Sequence, residues 1–372
     1  MADDQFQVIV VGGGLAGLTA AYSLASRGIE VLVIEKGNYC GAKNVTGGRL
    51  YSHGLEKLFP DFAATAPVER KISKSILFQR SGDAITKFKF DPQKLGLTQS
   101  DSYSVLRGVF DGWLAEQAEN AGAMIITDIR VDELIVRDGK VCGVLAGEEA
   151  MGSEIVILAE GTNALLAQKL GMKQELSPDA VCVGAKEIIK LDPALISQRF
   201  CVGEGEGAEC MFCGDRAAGE YADGFIYTNK DSLSVGIEIK ISDLDKTDKS
   251  VPQMLEEFKE TSFVASLIEG GKTAEYSAHL LHHGSSTAMG KQYGNGVLLV
   301  GDTAGLVSNL GFMVRGMDFA VESGRLAALT AINALESGDC SERKLSYYQD
   351  ALHQSFISAD MEKCKEYAQE GR

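Results

Sequence analysis

Three glycines near the start of the chain have the spacing of a phosphate-binding turn. Gly12, Gly14 and Gly17 follow the apolar run "FQVIVV", and Ala16 and other small residues lie between and after them. In this pattern the first glycine permits a tight turn, the second lets a phosphate approach the main chain, and the third lets a helix pack closely on a strand. The N–H groups and positive dipole end of a helix beginning here would bind the phosphates of a dinucleotide.

An acidic residue ends the next apolar run. The segment "IEVLVIE" ends at Glu35, 18 residues after Gly17, and Lys36 follows it. In a strand–helix–strand unit, an acid at this position accepts a hydrogen bond from a ribose hydroxyl. The glycine spacing alone is weak evidence. Together with the strand, the helix and the acid, it predicts a dinucleotide site, in which we include Lys36.

A second motif, "GVLLVGDTAG" at 296–305, favours FAD as the dinucleotide. Its apolar run ends at Gly301 and Asp302, which delivers a carboxylate to the end of a buried strand. A carboxylate beside a pyrophosphate needs hydroxyl or amide donors, and the ribityl chain of FAD carries hydroxyl groups. Many flavoproteins also bind FAD through an N-terminal strand–helix–strand unit. The alternative for Gly301 and Asp302 is an ordinary turn at a strand end.

The elements that must position these residues predict an α/β fold. Short runs of consecutive apolar residues predict buried parallel strands. Segments in which apolar residues recur with the period of a helix predict helices. The pair Asp138-Gly139 predicts a hairpin turn. We expect a Rossmann-like FAD-binding domain interrupted by an inserted, β-rich α+β domain. The first comprises 1–74, 101–180 and 287–350, the second comprises 75–100 and 181–286, and 351–372 forms a charged helical tail. Within these, the predicted strands are 6–12, 29–35, 153–161 and 296–302, and the predicted helices are 15–27, 109–120, 192–200, 251–260 and 316–335.

Composition narrows the class of protein. A chain of 372 residues is long enough for two domains, and a formal net charge of -16 argues against a nucleic-acid partner. Four glycines interrupt the first apolar run, so we expect neither a signal peptide nor a membrane span there. Eight scattered cysteines indicate reduced thiols. We therefore expect a cytoplasmic protein, and leave open a peripheral contact with the inner face of the membrane through a local apolar patch.

The motifs together resemble those of a known family. The segments "VVGGGLAGLTAAYSLASRG", "EKGNYCGAKNVTGGRLY", "VLRGVFDGWLAEQAENAGA", "YSAHLL" and "GDTAGLVSNLGFMVRGMDFAVESGRLAA" are similar to those of the geranylgeranyl reductase and electron-transfer-flavoprotein:quinone oxidoreductase group. The resemblance covers most of the chain, and the second and last segments are the discriminating ones. It implies non-covalently held FAD that passes electrons from a reduced electron-transfer flavoprotein to a quinone. Similar proteins continue beyond the segment "EYAQEGR".

The resemblance also assigns the glycine-dense loop "GAKNVTGGRLY". It places 41–49 along the flavin, with the main chain of Gly47 and Gly48 next to the ring system. It makes Asn44 and Thr46 polar contacts, and Lys43 an electrostatic neighbour of the ring.

Three further positions follow from the same resemblance. Arg107 corresponds to a basic residue that contacts the phosphates or ribose of FAD, the alternative being a surface arginine paired with Asp111. Glu160 and Gly161 match a strand-end pair whose main chain contacts the adenine side.

The segment "GFMVRGMDFA" is the one most closely connected with the redox chemistry. We expect Gly311, Met313 and Val314 to contact FAD, and a helix beginning near Arg315 or Gly316 to direct N–H groups at N1 and the C2 carbonyl of the flavin. A positive helix end there would stabilise negative charge on the reduced ring. Arg315 either adds to this effect or is a surface charge at the helix end.

A metal site and a reactive thiol pair are the alternatives to an FAD site that the sequence offers. Cys210 and Cys213 form one C-x-x-C pair, whereas a zinc or cluster site needs two, so a chance pair is the favoured interpretation over a redox dithiol or a metal site. The histidines of "HLLHHG" lie at the end of a predicted strand, and we expect no metal there. An iron–sulfur cluster would have to come from a ferredoxin-like protein on a separate chain.

We therefore expect an FAD-dependent oxidoreductase that transfers electrons from an electron-transfer flavoprotein to a quinone. One alternative is a reductase of isoprenoid carbon–carbon double bonds built on the same scaffold. Another is an electron-carrying subunit of a multi-subunit flavoprotein complex, without its own substrate chemistry. A flavin monooxygenase or halogenase is disfavoured because the chain has no second glycine motif for NADPH.

Overall fold

The computed structural model describes residues 4–42, 48–81, 84–91, 94, 100–284, 290–310 and 313–370. The strands are β1 (Asp4–Val11), β2 (Val31–Ile34), β3 (Gly48–Tyr51), β4 (Val68–Ser81), β5 (Ala84–Phe90), β6 (Ser102–Val105), β7 (Met124–Ile126), β8 (Glu133–Arg137), β9 (Lys140–Ala146), β10 (Glu149–Leu158), β11 (Val181–Lys190), β12 (Glu206–Cys213), β13 (Asp223–Thr228), β14 (Ser232–Lys240), β15 (Lys272–His282), β16 (Tyr293–Gly294), β17 (Val297–Leu299), β18 (Ser308–Asn309) and β19 (Val314–Arg315). The helices are α1 (Leu15–Ala25), α2 (His53–Glu56), α3 (Phe62–Thr65), α4 (Arg107–Asn120), α5 (Leu165–Lys169), α6 (Pro193–Phe200), α7 (Ile241–Leu244), α8 (Val251–Glu260), α9 (Ser262–Ile268), α10 (Met317–Glu336), α11 (Glu342–Leu345), α12 (Tyr347–Gln354) and α13 (Phe356–Glu370).

The first sheet is the nucleotide-type sheet that the sequence predicts. Its parallel core has the order β17-β10-β1-β2-β7, with β16 antiparallel at one edge and β9 and β8 attached to β10. The central strands are apolar and fully buried because helices cover the sheet. Helix α10 packs against α1 so closely that a side chain at Gly324 would collide with the carbonyl of Ala16.

The second sheet has nine strands and is largely antiparallel. Its order is β15-β11-β14-β13-β12-β4-β6-β3, with β5 on β4 and one parallel pair, β12 and β4. Two short strands, β3 and β6, pair in this sheet although the predicted division placed their residues in the nucleotide domain. The domain boundaries therefore stay a prediction, while the α/β fold with a second, β-rich part is confirmed.

The predicted ends of the helices lie within a few residues of the observed ends. Helix α1 ends at Ala25, two residues before the predicted end, and α4 begins at Arg107 rather than 109. The predicted hairpin turn has φ +49° at Asp138 and +76° at Gly139, as a type I′ turn requires. Among the described helices, none is long and apolar enough to cross a lipid bilayer.

Candidate functional site

A cavity of about 590 Å³ lies between the two sheets. One wall consists of the loops at the carboxyl ends of β1, β2, β10 and β17, where open α/β sheets bind ligands. The opposite wall is the inner face of the nine-stranded sheet, which contributes Arg49, Met211, Tyr227 and Glu238. The volume falls in the range of cofactor and small-molecule sites.

The glycine turn has the geometry that a phosphate cradle needs. Gly12 has φ +111°, and a Cβ there would run into the carbonyl of Ala159. A Cβ at Gly17 would run into the carbonyl of Gly12, so the helix can approach the strand only without a side chain. Gly14 is the N-cap of α1, and no described side chain caps this helix. Its first N–H groups are therefore available to an anion, and the residues fit a dinucleotide phosphate.

Glu35 is held by the main chain of two loops. Its Oε2 accepts a hydrogen bond from the N–H of Gly13 at 2.7 Å, and its Oε1 accepts one from Gly37 at 2.7 Å. Each carboxylate oxygen retains a further lone pair for a ribose hydroxyl. Glu35 and Lys36 both line the cavity, and their contacts with the dinucleotide stay a prediction.

Gly301 and Asp302 form the turn after β17. Gly301 has φ +58° and donates its N–H to Ser323 Oγ at 3.0 Å. Lys173 donates to the carbonyl of Asp302 at 2.8 Å, and Thr162 Oγ1 lies 3.4 Å from its carboxylate. The turn is thus tied to neighbouring loops while Asp302 faces the cavity. Sequence reasoning did not identify Lys173, which lies 129 residues from this turn.

Glu160 and Gly161 line the same wall of the cavity. The carboxylate of Glu160, however, is already hydrogen-bonded within the protein. It accepts hydrogen bonds from the N–H groups of Leu166 at 2.8 Å and Ala167 at 3.0 Å, at the beginning of α5. Burial raises the pKa of Glu160, and these two main-chain hydrogen bonds oppose that rise. The adenine-side contact stays a prediction for the main chain of this pair.

Arg107 is buried and pairs with Asp111 on the next turn of α4. Nε and one terminal nitrogen donate to the two carboxylate oxygens at 2.6 and 2.7 Å. The pairing that the sequence offered as an alternative is present, but the residue is only 9% exposed and lines the cavity, so it is not a surface arginine. Its contact with FAD remains a prediction.

Arg315 is also buried, which corrects the alternative of a surface charge at the helix end. Its guanidinium lies 2.6 Å from Asp318 and 2.8 Å from Asp360, and it stacks over the rings of Tyr51 and Phe319. Burial disfavours the charge, but the two carboxylates outweigh that effect and raise the pKa of Arg315. Most of its charge is therefore compensated locally.

The helix after Arg315 presents an open end. Helix α10 begins at Met317 with Gly316 as its N-cap, and no side chain of the described residues caps it. Met313 and Val314 line the cavity beside it. The contacts of the first main-chain N–H groups of α10 with the flavin stay a prediction.

The glycine-dense loop is described at both ends, at 41–42 and 48–51, and Gly41 lines the cavity. Gly48 opens β3, lines the cavity and faces the side chains of Tyr227 and Met317. The contacts predicted for Lys43, Asn44, Thr46, Gly47 and Gly311 lie outside the described residues.

The inner face of the nine-stranded sheet supplies residues that sequence reasoning missed. Arg49 of β3 donates to Glu209 of β12 at 2.8 Å and to Ser75 at 2.8 Å. Glu238 of β14 lines the cavity as well. The sequence signal was the alternation of polar and apolar residues around Glu238 in "SVGIEIK", and a single charged residue in each of the strands "GRLY" and "AECMFC". That alternation shows which residues share a face, but not which face borders a cavity.

Among the described residues, the pair Cys210 and Cys213 and the histidines of "HLLHHG" do not form a reactive thiol or metal site. Burial raises the pKa of Cys210 to about 12 and that of Cys213 to about 11, so neither is a reactive thiolate. The two residues stand three apart on a strand, and their side chains therefore leave opposite faces. Across the part of the chain that the structure describes, no group of histidine, cysteine and acidic side chains could hold a metal ion.

Comparison with known proteins agrees with this geometry. A family model described as FAD dependent oxidoreductase matches residues 7–86. Protein FixC of Escherichia coli O157:H7 is 48% identical over 95% of this chain and 82% of its own length. The probable electron transfer flavoprotein-quinone oxidoreductase YdiS of Escherichia coli strain K12 is 45% identical over 97% of this chain and 84% of its own length.

Solved structures share the fold at lower identity. A geranylgeranyl bacteriochlorophyll reductase-like protein from Thermoplasma acidophilum aligns with a TM-score of 0.75 at 20% identity, over 98% of this chain and 88% of that one. A mutant of the halogenase PltM, solved in complex with FAD, aligns with a TM-score of 0.69 at 14% identity, over 93% of this chain and 73% of that one.

Proposed function

Because the chain belongs to the FixC family of FAD-dependent oxidoreductases, we propose that it passes electrons from an electron-transfer flavoprotein, through FAD, to a quinone. The observation that carries the proposal is one cavity with two different walls. The glycine turn, Glu35 and Asp302 form a wall suited to a dinucleotide. Met211, Phe225 and Tyr227 form an apolar and aromatic wall suited to a ring-shaped acceptor.

Bound FAD supplies the electron-transfer chemistry, and the protein supplies position and charge. The N–H groups of α1 and the bare main chain at Gly14 would hold the phosphates. Glu35, fixed by Gly13 and Gly37, would orient the ribose. The open N-terminus of α10 would favour negative charge on the reduced flavin at the other end of the cavity, whereas the charge of Arg315 is compensated by Asp318 and Asp360.

The partners in this proposal are an electron-transfer flavoprotein as donor and a quinone as acceptor. By family resemblance, a ferredoxin-like iron–sulfur protein on a separate chain takes part in the same route. Peripheral contact with the membrane would give access to a quinone with a lipid tail.

Anaerobic stopped-flow spectroscopy tests the function directly. The flavin of the purified protein should be reduced by electron-transfer flavoprotein and reoxidised by a soluble quinone. If both half-reactions fail in protein that retains its flavin, the proposal is wrong. A saturated isoprenoid product formed with a chemical reductant would instead indicate the double-bond reductase. Activity seen only in a co-purified complex would indicate an electron-carrying subunit.

A further inference from the structure

Two carboxylic acids face each other on neighbouring strands of the nine-stranded sheet. Glu238 of β14 is directly opposite Asp223 of β13 in the antiparallel register. Side chains opposite each other in such a pair are about 5 Å apart at Cβ. Glu238 lines the cavity, whereas Asp223 pairs with Arg216, whose side chain is 45% exposed at the surface. The two acids therefore share one face of the sheet, with Glu238 at the cavity and Asp223 next to an arginine at the surface.

The carboxyl groups of Asp223 and Glu238 differ in their hydrogen-bond partners. Asp223 accepts hydrogen bonds from the N–H of Gly214 at 3.0 Å and from Arg216 at 2.7 Å. The carboxyl group of Glu238 makes no hydrogen bond or ion pair with any residue that the structure describes. Glu238 is half-buried on the wall of the cavity. A carboxylate that has lost part of its hydration and has no partner favours its neutral, proton-carrying form.

The surroundings of Glu238 are consistent with a group that exchanges protons near neutral pH. Burial raises the pKa of Glu238 to about 7, the charge of Asp223 adds to the rise, and Arg216 and Lys240 oppose it. Burial also raises the pKa of Asp223, against the effect of Arg216. Other titratable groups on the same face of the sheet include Cys182 and Lys186 of β11, Glu209 and Cys213 of β12, Tyr227 of β13 and His279 of β15.

We propose that Glu238 donates protons to the electron acceptor in the cavity, and that Asp223, whose carboxylate pairs with the half-exposed Arg216, passes protons from solvent to Glu238. This inference rests on the proposed function. Reduction of a quinone to a hydroquinone consumes two electrons, which come from the flavin, and two protons. In each transfer the O–H bond of the Glu238 carboxyl breaks and an O–H bond forms on an acceptor oxygen. The carboxylate that remains takes a proton arriving from solvent along Asp223, and a second cycle completes the hydroquinone.

The first test compares two acceptors in one variant. Glu238→Gln keeps the size of the side chain but cannot donate a carboxyl proton. We expect its quinone half-reaction to slow by about 100-fold, the lower end for loss of a general acid. Ferricyanide accepts electrons without protons, so its reduction should keep the wild-type rate. Asp223→Asn should slow the quinone half-reaction less. Glu204→Gln removes the same charge from an exposed position and is the control.

A second readout does not depend on turnover. The infrared carboxyl C=O band of protein without flavin, recorded as wild type minus Glu238→Gln, should titrate with a midpoint near pH 7. Equal quinone rates in wild type and Glu238→Gln from pH 5.5 to 9 would overturn the inference, and so would a band that is ionised throughout that range. If the wild type itself fails to reduce quinone, the proposed function is wrong, whereas the infrared titration still reports on Glu238.

Discussion

The carboxylate of Asp318 accepts hydrogen bonds from two nitrogens of Arg315, at 2.6 Å from a terminal nitrogen and 3.1 Å from Nε. Both side chains are almost fully buried, and His53 lies 3.2 Å from the same carboxylate. The pair stands where α10 begins, at one end of the cavity. A buried pair of this kind contributes little net stability, but the loss of Asp318 leaves the buried charge of Arg315 with less compensation, from Asp360 at 2.8 Å.

Asp318→Asn should therefore lower the free energy of unfolding by about 3 kcal/mol at pH 7. Burial opposes the charge of Asp318, but Arg315 and His53 outweigh that effect and hold its pKa below the ordinary 3.8. The contribution is thus present above pH 3.8 and is lost as the pH falls through the lower folded value. Urea unfolding at several pH values measures the difference, which should shrink in acid. Asp231→Asn, which breaks the exposed pair with Lys190, should cost about 1 kcal/mol or less.

Gly14→Glu should yield a folded but colourless protein. Gly14 has φ -92° and ψ -176°, an extended conformation that any residue adopts, so the backbone there does not exclude a side chain. A carboxylate there would occupy the phosphate position and repel it. Flavin absorbance per mole of protein measures the outcome, and Gly112→Glu is the control because nothing lies within 4 Å of a Cβ at that position. Normal flavin content in Gly14→Glu would show that the phosphates bind elsewhere.

Glu35→Gln should weaken FAD binding and also destabilise the unloaded protein. An amide can accept from only one of the two N–H groups, those of Gly13 and Gly37, and it turns its own NH₂ group toward the other. We expect a loss of about 1–3 kcal/mol in unfolding free energy, the cost of an unsatisfied buried donor. Thermal unfolding without FAD and fluorescence titration with FAD separate the two effects. An unchanged unfolding curve would contradict the structural part of this prediction.

Lys186→Met should change stability in a pH-dependent way. Lys186 is 4% exposed, and its ammonium group has no hydrogen bond or ion pair with the residues that the structure describes. Burial lowers the pKa of Lys186 from 10.5 to about 8. Below pH 8 the folded state carries a charged, desolvated group, whereas between about pH 8 and 10.5 only the unfolded state binds that proton.

The stability of the wild type relative to Lys186→Met should therefore rise by about 3 kcal/mol at most between pH 8 and 10.5. Guanidinium unfolding across this range provides the measurement. Lys190→Met, at a half-exposed position on the same strand, is the control for removing a lysine charge there. A constant difference between wild type and Lys186→Met across this pH range would mean that the Lys186 ammonium is solvated in the folded protein.

The parts of the site that sequence predicted are those built from local patterns. Gly12, Gly14, Gly17 and Glu35 lie within one strand–helix–strand unit, so their spacing alone sets their geometry. The hairpin turn at Asp138-Gly139 likewise depends on neighbouring residues only.

What could not be predicted depends on pairings between distant segments. The burial of Arg315 follows from Asp360 in the last helix, and the pairing of Arg49 with Glu209 joins residues 160 positions apart. The position of β3 and β6 in the second sheet is likewise set by cross-strand pairing and not by the composition of these short strands. Alternation in β14 showed that Glu238 shares a face with Ser234 and Gly236, but only the packing of the two sheets places a cavity beside it.

The parallel core of the first sheet joins strands from positions 4 to 299, and its closing helix reaches residue 336. A ribosome must therefore release most of the polypeptide before the coenzyme can be retained. Loading with FAD consequently has to wait until the chain has been made at least as far as this helix, and a shortage of riboflavin would leave empty chains without interrupting their synthesis up to that point.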